Sequence, residues 1–231
     1  MEKAKKTIGM LVAVEIGAVL SRYGDKLTDV SETGFDVKRL DSDDYTMYIL
    51  KSGAGEIAAA AGTQFLITKY GAEFIINFGV VGGLTPEMSL AKTCVVESVV
   101  HYDFDTSTID NCEVGRYLEY PSIYIPAPSE LVDAAIAAEP SLKRVICASG
   151  DKFVDDPAKK RALHTDFNAD ICEMEAAAIL LTCNRNRVPC LMIKAVSDAI
   201  EGGCKEFTAQ VDRSAAICLE VAHRVIEKLH S

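Results

Sequence analysis

Three acidic residues stand where the chain predicts strand and helix boundaries. Glu173 and Glu175 precede an apolar helical pattern, and Asp198 ends a strand-like run that begins at Cys190. Acids in a first helical turn are stabilised by the helix dipole, and a carboxylate just after a strand lies where open α/β sheets bind ligands. Because residues two apart on a helix point in different directions, we expect Glu175 and not Glu173 to face a shared cleft. Taken alone, each acid is more often a solvated helix start or N-cap.

The other candidate segments also follow predicted strands. They are Glu15 after the buried run 8–14, the glycine-rich turn 79–83 after residues 74–78, and the loop 149–154 after residues 144–148. Glycines at a strand end bring backbone amides within reach of a ligand. Phe153 suits either stacking on a planar ligand or packing beneath its loop. The glycines of residues 51–56 fit no phosphate-binding pattern, so that segment predicts tight packing.

The spacing of hydrophobic residues predicts alternating strands and helices along the whole chain. Besides the segments above, it indicates a hairpin over 35–40 and 45–50, a strand over 94–100, and helices over 57–70, 128–138 and 206–229. Residues 101–121 are polar and aromatic without a period, as in a functional or interface loop. The alternation predicts an α/β fold, a three-layer sandwich with a central mixed, twisted β-sheet flanked by helices. No repeat or linker divides the expected single domain of residues 1–231.

The composition argues against several classes of partner. The chain has 231 residues and a formal net charge of -10, so no basic surface is expected for a nucleic acid polymer. No apolar run is long enough to cross a membrane and no signal peptide is evident, which predicts a cytoplasmic protein. The cysteines lack a C-x-x-C spacing and the histidines lie far apart. We therefore expect reduced core cysteines, no metal site and no cofactor.

A set of motifs resembles the purine nucleoside phosphorylase superfamily, and most closely its methylthioadenosine/S-adenosylhomocysteine nucleosidases. The motifs are Lys51-Ser-Gly-x-Gly, Asn77-Phe-Gly-x-x-Gly-Gly-Leu84, Ser149-Gly-Asp-x-Phe153, Glu173-Met-Glu-Ala-Ala-Ala178 and Ala195-Val-Ser-Asp198. Their order along nearly the whole chain implies the fold of that family. The resemblance also implies cleavage of the N-glycosidic bond of a purine nucleoside. That reaction passes through an oxocarbenium-like state, which needs an acid at the base and negative charge near the ribose.

The resemblance assigns roles to the matching positions. Asp198 corresponds to the residue that protonates or hydrogen-bonds N7 of the purine, and Ser197 to the residue that orients it. Met174 and Glu175 correspond to the pair that grips the ribose. The remaining matches are Phe153 and Val154 at the adenine edge and Phe207 at the 5′ substituent.

Departures from that family cluster around the attacking nucleophile. The glutamate that activates water in the family is replaced by Gly17, the arginine before Ala-x-Ser-Asp by Lys194, and the small hydroxyl residue of the glycine turn by Val80. Lysine keeps one positive charge but not the bidentate fork of arginine, and valine removes a hydrogen-bond donor. Either Glu15 takes the place of the missing base or a different nucleophile is used.

The sequence leaves three functions in competition. The first is hydrolysis of 5′-methylthioadenosine or S-adenosylhomocysteine to adenine and the 5-substituted ribose. The second is phosphate-dependent cleavage, which ranks lower because Lys194 is the only obvious cation near the motifs. The third is nucleoside binding with little catalysis. The resemblance further implies a homodimer in which a partner's loop completes each pocket, with Tyr102 or Tyr117 as candidates for that contact.

Overall fold

The computed structural model describes residues 5–32 and 34–230, in which strands and helices alternate. The strands are β1 (Lys6–Val12), β2 (Leu27–Asp29), β3 (Asp36–Asp41), β4 (Tyr45–Lys51), β5 (Phe74–Gly83), β6 (Thr93–His101), β7 (Tyr124–Pro126), β8 (Lys143–Ser149), β9 (Ile171–Glu173) and β10 (Cys190–Asp198). The helices are α1 (Ile16–Tyr23), α2 (Glu56–Tyr70), α3 (Ser107–Asp110), α4 (Ser129–Ala138), α5 (Pro157–Phe167), α6 (Ala176–Asn186) and α7 (Gly203–His230).

The strands join one mixed sheet, part of which closes on itself. From β5 an arm runs outward through β1, β4 and β3 to β2, with β1 parallel to both β4 and β5. β5 also pairs with β10 in parallel and with β9 antiparallel. β10 continues to β6, β6 to β8 and β8 to β9, so these strands and β5 form a closed ring. The predicted mixed α/β sheet is confirmed, and the ring is a feature that the alternation of elements does not reveal.

Helices cover both faces of the sheet because alternate strand residues point to opposite faces. Ile8 and Met10 of β1 pack with α1, α4 and α7 in one buried cluster, whereas Leu11 packs with α2 and α6 in another. Every residue of β10 is buried, as expected for a strand covered on both faces. The long C-terminal helix α7 lies against β10 and β5, so it covers two strands of the ring.

Residues 79–83 differ from the prediction, because they extend β5 instead of forming a turn. A Cβ atom on Gly79 would lie 3.0 Å from Oε1 of Glu15, and one on Gly82 would lie 3.0 Å from Sγ of Cys172. Both contacts are tighter than ordinary packing allows. The glycines therefore let a regular strand pass close to two neighbouring segments, which is a different use of glycine from a chain reversal.

Helix α5 is a second difference, since the hydrophobic spacing predicts no helix there. It begins at an Asp-Pro pair, in which Asp156 accepts a hydrogen bond from the backbone N–H of Ala158 at 2.8 Å. An aspartate N-cap followed by proline is a helix-start signal. The two buried residues of α5 are Leu163 and Lys160. Because one of them is a lysine, the hydrophobic periodicity of this helix is weak.

The composition predicted reduced cysteines in the core and no helix that spans a membrane. All eight cysteines are free thiols and most are buried, but Cys112 is only partly buried and Cys204 is exposed, so the prediction of a core position is wrong for Cys204. Across the two described ranges, every helix is too short or too polar to traverse a lipid bilayer.

Candidate active site

A cavity opens beside the carboxyl ends of β1, β9 and β10 and the C-terminal half of β5. About 610 Å³ of this space is not filled by protein atoms. Its walls are formed by Ala13, Val14, Glu15, Ala54, residues 80–82, Phe153, residues 172–175, Ser197, Asp198 and Phe207. All the predicted site residues therefore lie at one place except Val154 and Lys194, which do not line the cavity.

Asp198 lies at the end of β10 with two hydrogen-bond donors on its carboxylate. Its side chain is almost fully buried. Oδ1 accepts from the hydroxyl of Ser197 at 2.8 Å, in keeping with the orienting role that the resemblance implies. Oδ2 accepts from Nζ of Lys160 at 2.5 Å, and the Lys160 side chain is 0% exposed. This end of the cavity therefore contains a buried ion pair.

Glu173 and Glu175 lie where β9 gives way to α6. Glu175 Oε1 accepts a hydrogen bond from the backbone N–H of Gly55 at 2.8 Å, so the glycine loop 51–55 holds a site carboxylate and does more than pack tightly. Glu173 accepts from the N–H groups of Glu175 at 3.1 Å and Ala176 at 2.9 Å. Both glutamates line the cavity. The expectation that only Glu175 faces it is therefore wrong, because strand β9 ends at Glu173 and the two residues do not share a helix.

Crowding of buried acids changes their proton affinity. Burial, together with the negative charge of Glu173, raises the pKa of Glu175 to about 7. Burial and the same neighbour raise the pKa of Glu56 to about 8. Glu56 sits behind the cavity, where it accepts from the hydroxyl of Ser149 at 2.6 Å and from the N–H of Ala178 at 2.5 Å. Both groups therefore change charge close to neutral pH.

Glu15 occupies the side of the cavity where the resemblance places the nucleophile. Its Oε1 accepts from the N–H of Val80 at 2.8 Å and its Oε2 from the N–H of Val14 at 2.9 Å. These bonds hold the carboxylate in the wall of the cavity. Gly17, one position into α1, is exposed and does not line the cavity.

Lys194, which was predicted as a substrate-binding residue, lies beneath the cavity and is not among the residues that line it. Its side chain is 2% exposed and its ammonium is 3.2 Å from Oε2 of Glu173. Burial lowers the pKa of Lys194, but the nearby carboxylates, led by Glu173, outweigh burial and raise it above its ordinary value. The lysine therefore provides a positive charge beside the carboxylates behind the cavity wall.

Two aromatic rings stand at the cavity on the side assigned to the base and the 5′ group. The rings of Phe153 and Phe207 meet edge to face with centroids 5.3 Å apart. Phe153 is 46% exposed, which argues against the alternative that it is a core residue under its loop. Val154 instead packs its side chain against a buried cluster that includes Leu84 and Val100.

None of the sequence motifs includes Lys160 or Glu56, two charged residues of this region. Lys160 is three residues before Leu163 and seven before Phe167, which is the spacing of one helix face. A lysine in phase with an apolar face is the signal that could have identified it. Glu56 directly follows Gly55 at the start of α2, where an acid has the ordinary explanation of a helix-dipole partner.

Comparisons with known proteins fit this geometry. The model of the phosphorylase superfamily matches residues 8–230. The aminodeoxyfutalosine nucleosidase of Campylobacter jejuni is 30% identical over 227 residues, which cover 92% of this chain and 98% of that protein. The 5′-methylthioadenosine/S-adenosylhomocysteine nucleosidase of Shewanella oneidensis is 34% identical over 156 residues, which cover 65% of each chain.

A solved structure agrees with the sequence relatives. The 5′-methylthioadenosine/S-adenosylhomocysteine nucleosidase of Helicobacter pylori, in a crystal with butyl-thio-DADMe-Immucillin-A, has a TM-score of 0.90 at 26% identity. The match covers 98% of this chain and 100% of that one. Since the superfamily model also spans almost every residue, this chain belongs to the phosphorylase superfamily.

Proposed function

We propose that the chain is a purine nucleoside N-glycosidase that hydrolyses 5′-methylthioadenosine or S-adenosylhomocysteine to adenine and the 5-substituted ribose. The observation that carries the proposal is the meeting of Asp198, Glu175 and Glu15 in the wall of one cavity, although they lie far apart in the chain. Asp198 faces the base, Glu175 the ribose and Glu15 the water. The relatives named above are nucleosidases, which supports the same reaction class.

The chemistry follows from where charge develops. As the bond between the ribose and N9 breaks, the base gains electrons and the ribose becomes an oxocarbenium-like cation. A proton delivered at N7 by way of Asp198 stabilises the leaving base. Glu175 accepts hydrogen bonds from the ribose hydroxyls, and the surrounding carboxylates stabilise the positive ring. Met174, beside Glu175 in the cavity wall, packs against the sugar.

The charge of the cavity favours water over phosphate as the nucleophile. Among the described residues, no lysine or arginine lines the cavity, whereas Glu15, Glu173, Glu175 and Asp198 do. Lys160 and Lys194 lie behind the wall, each already paired with a carboxylate. A phosphate dianion would be repelled by such a site. Glu15 is suited to accept the proton of an attacking water, since it is the carboxylate on the nucleophile side.

The 5′ substituent is assigned on two grounds. The aromatic pair of Phe153 and Phe207 offers an apolar surface on that side of the cavity, which fits a thioether better than a charged phosphate ester. The related Helicobacter pylori nucleosidase was crystallised with an inhibitor that carries a butylthio group. Aminodeoxyfutalosine belongs in the same assay because the Campylobacter jejuni relative is named for it.

One assay separates the candidate functions. Purified protein is incubated with each of the three nucleosides, with and without inorganic phosphate, and released adenine is measured by chromatography beside calorimetric binding. Adenine release without phosphate supports hydrolysis, and the fastest nucleoside identifies the 5′ group. Strict dependence on phosphate would establish a phosphorylase. Tight binding with no adenine released from any of the three would establish a nucleoside-binding protein.

We also propose that the active form is a homodimer. Ile109 and Leu118 are 85% and 63% exposed, so the segment 101–121 presents two large apolar side chains for a partner subunit to cover. Tyr117 instead stacks on Phe104 with centroids 4.2 Å apart, so it supports the shape of the segment from within. Light scattering that detects only a 25.0 kDa particle at micromolar concentration would exclude the dimer.

A further inference from the structure

Lys160 is a fully buried lysine whose three N–H donors all have acceptors at the active-site end of β10. Nζ lies 2.5 Å from Oδ2 of Asp198, 2.8 Å from the carbonyl oxygen of Ala199 and 3.4 Å from the carbonyl oxygen of Asp198. An ammonium group has three donors and no acceptor. This set of partners therefore fits a charged lysine, with Asp198 as its counter-ion.

The surroundings of the pair connect it to the cavity. A Cβ atom on Gly82, which lines the cavity, would lie 3.3 Å from Oδ2 of Asp198 and 3.4 Å from Nζ of Lys160. The titratable groups that face the ammonium are Asp198 from β10 and the thiol of Cys172 from β9. From α7, Glu206 holds the adjoining backbone by accepting from the N–H of Ala199 at 2.6 Å.

This pairing sets a problem for the proposed leaving-group step. The hydrogen bonds from Lys160 and Ser197 both favour the ionised form of the Asp198 carboxyl group. An ionised carboxylate has no proton to give to N7. The ammonium of Lys160, whose Nζ lies 2.5 Å from Oδ2 of Asp198, is the adjacent group that has protons to give.

We propose that Lys160 supplies, through Asp198, the proton taken up by the departing purine. The inference rests on the proposed function and names the source of its acid. As the bond between ribose and N9 breaks, its electron pair passes into the base and makes N7 strongly basic. One Nζ–H bond then breaks as an O–H bond forms on Asp198, and the proton of that carboxyl group moves to N7. Lys160 is left neutral, Asp198 is again a carboxylate, and solvent returns the proton after adenine leaves.

Lys160 acts through Asp198, so it is a positioning residue, and two substitutions separate its proton from its charge. Lys160→Arg keeps a positive charge but cannot release a proton. Lys160→Met removes both and leaves Asp198 buried without a cation, which favours a neutral carboxyl group. Lys159→Met, on the exposed neighbouring lysine, is the matched control.

The test compares adenine release with hydrolysis of a 4-nitrophenyl riboside that carries the same 5′ group. Nitrophenolate leaves without a proton. For Lys160→Arg we expect adenine release to fall about a hundredfold at every pH, with nitrophenyl turnover within about threefold of wild type. For Lys160→Met we expect adenine release to fall near neutral pH, and its rate relative to wild type at the same pH to rise as the pH is lowered, because solvent can then replace the proton that Lys160 supplied. Lys159→Met should match wild type on both substrates.

The outcomes that overturn the relay differ from those that overturn the function. Equal loss on both substrates, or adenine release by Lys160→Arg near the wild-type rate, shows that the lysine serves only structure or charge. If Lys160→Arg does not fold, a Lys160→Met variant with an unshifted pH profile overturns the relay by itself. Wild-type protein that releases no adenine from any nucleoside overturns the proposed function, and the relay with it.

Discussion

Lys160 and Lys194 are both buried beside the cavity, but their electrostatic surroundings differ. Lys160 has one carboxylate partner, Asp198, and the pair is balanced in charge. Lys194 contacts Glu173 and is also attracted by Glu175 and Glu15, so one cation serves several acids. At the balanced end, the proposed relay keeps a proton on Lys160. At the end with excess negative charge it raises the pKa of an acid into the neutral range.

The contrast fits the two charges that glycosidic cleavage creates. The base becomes negative and requires a proton, which the Lys160 end holds. The ribose becomes positive and requires uncompensated carboxylates, which the Lys194 end provides. Replacing a single charge at each end should therefore have different consequences for rate, pH dependence and stability.

The largest effect is expected for Asp198→Asn. Asparagine keeps a hydrogen bond but cannot pass on a proton, so adenine release should fall by about 10²–10⁴-fold, with nucleoside affinity within about tenfold. The change also leaves Lys160 buried without its counter-ion, which costs about 3–5 kcal/mol of stability. The double variant Lys160→Met/Asp198→Asn should regain thermal stability without activity. Turnover unchanged in Asp198→Asn would remove this residue from the acid relay.

Glu15→Gln should have the next largest effect. If this carboxylate accepts the proton of the attacking water, hydrolysis falls by about a hundredfold with little change in affinity. Gly17→Glu is the comparison, because residue 17 is exposed and lies outside the cavity wall. We expect no gain from it, alone or combined with Lys194→Arg and Val80→Ser. A fully active Glu15→Gln variant would show that Glu15 does not activate the water, and a faster triple variant would show that a carboxylate introduced at position 17 can.

The excess of carboxylates at the Lys194 end predicts that catalytic activity falls at acidic pH. Glu175 must be ionised to accept from the ribose hydroxyls, and its pKa is raised to about 7 by burial and by Glu173. We therefore expect kcat/KM to fall about tenfold for each pH unit below about 7. Glu173→Gln removes the repelling charge and should move this fall in activity to lower pH. A fall that stays at the same pH would show that Glu175 is not the group being titrated.

The smallest effect concerns stability. The pKa of Glu56 is raised from 4.5 to about 8, chiefly by burial, so the folded chain holds a proton that the unfolded chain has lost. Wild-type stability should therefore decline as pH rises from 4.5 to about 8. The glutamine of Glu56→Gln has no proton to lose. The melting temperature of this variant, relative to that of wild type, should therefore rise as the pH increases through that range. Glu130→Gln, at an exposed position, should show no such trend.

Much of the fold could be read from local sequence patterns. Strands β6, β8 and β10, the hairpin of β3 and β4, and helix α2 match their predicted spans closely. Family membership, which the motifs imply, is confirmed by the superfamily match. The closed ring of strands could not be predicted, because it depends on pairings between segments that are distant in the sequence.

The site was predictable where a motif marks it and hidden where its partners are remote. Asp198 and Glu175 belong to short motifs, but the counter-ion of Asp198 comes from α5, which has no motif. Lysine is nearly always solvated, so an ordinary interpretation of Lys160 gives no reason to place it in the interior. Gly55 does belong to a motif, but the hydrogen bond from its amide to Glu175 joins remote segments and was therefore not predicted.

The closed ring of strands has a consequence for how the protein is made. β10 is the last strand of the described residues, and it pairs with both β5 and β6. Before β10 leaves the ribosome, Lys160 lacks Asp198 and Glu173 lacks Lys194, so neither buried pair can form. Contacts between such distant segments also form slowly. The nascent chain must therefore keep these charges in water until β10 has been made, and both buried pairs form only after that strand is available.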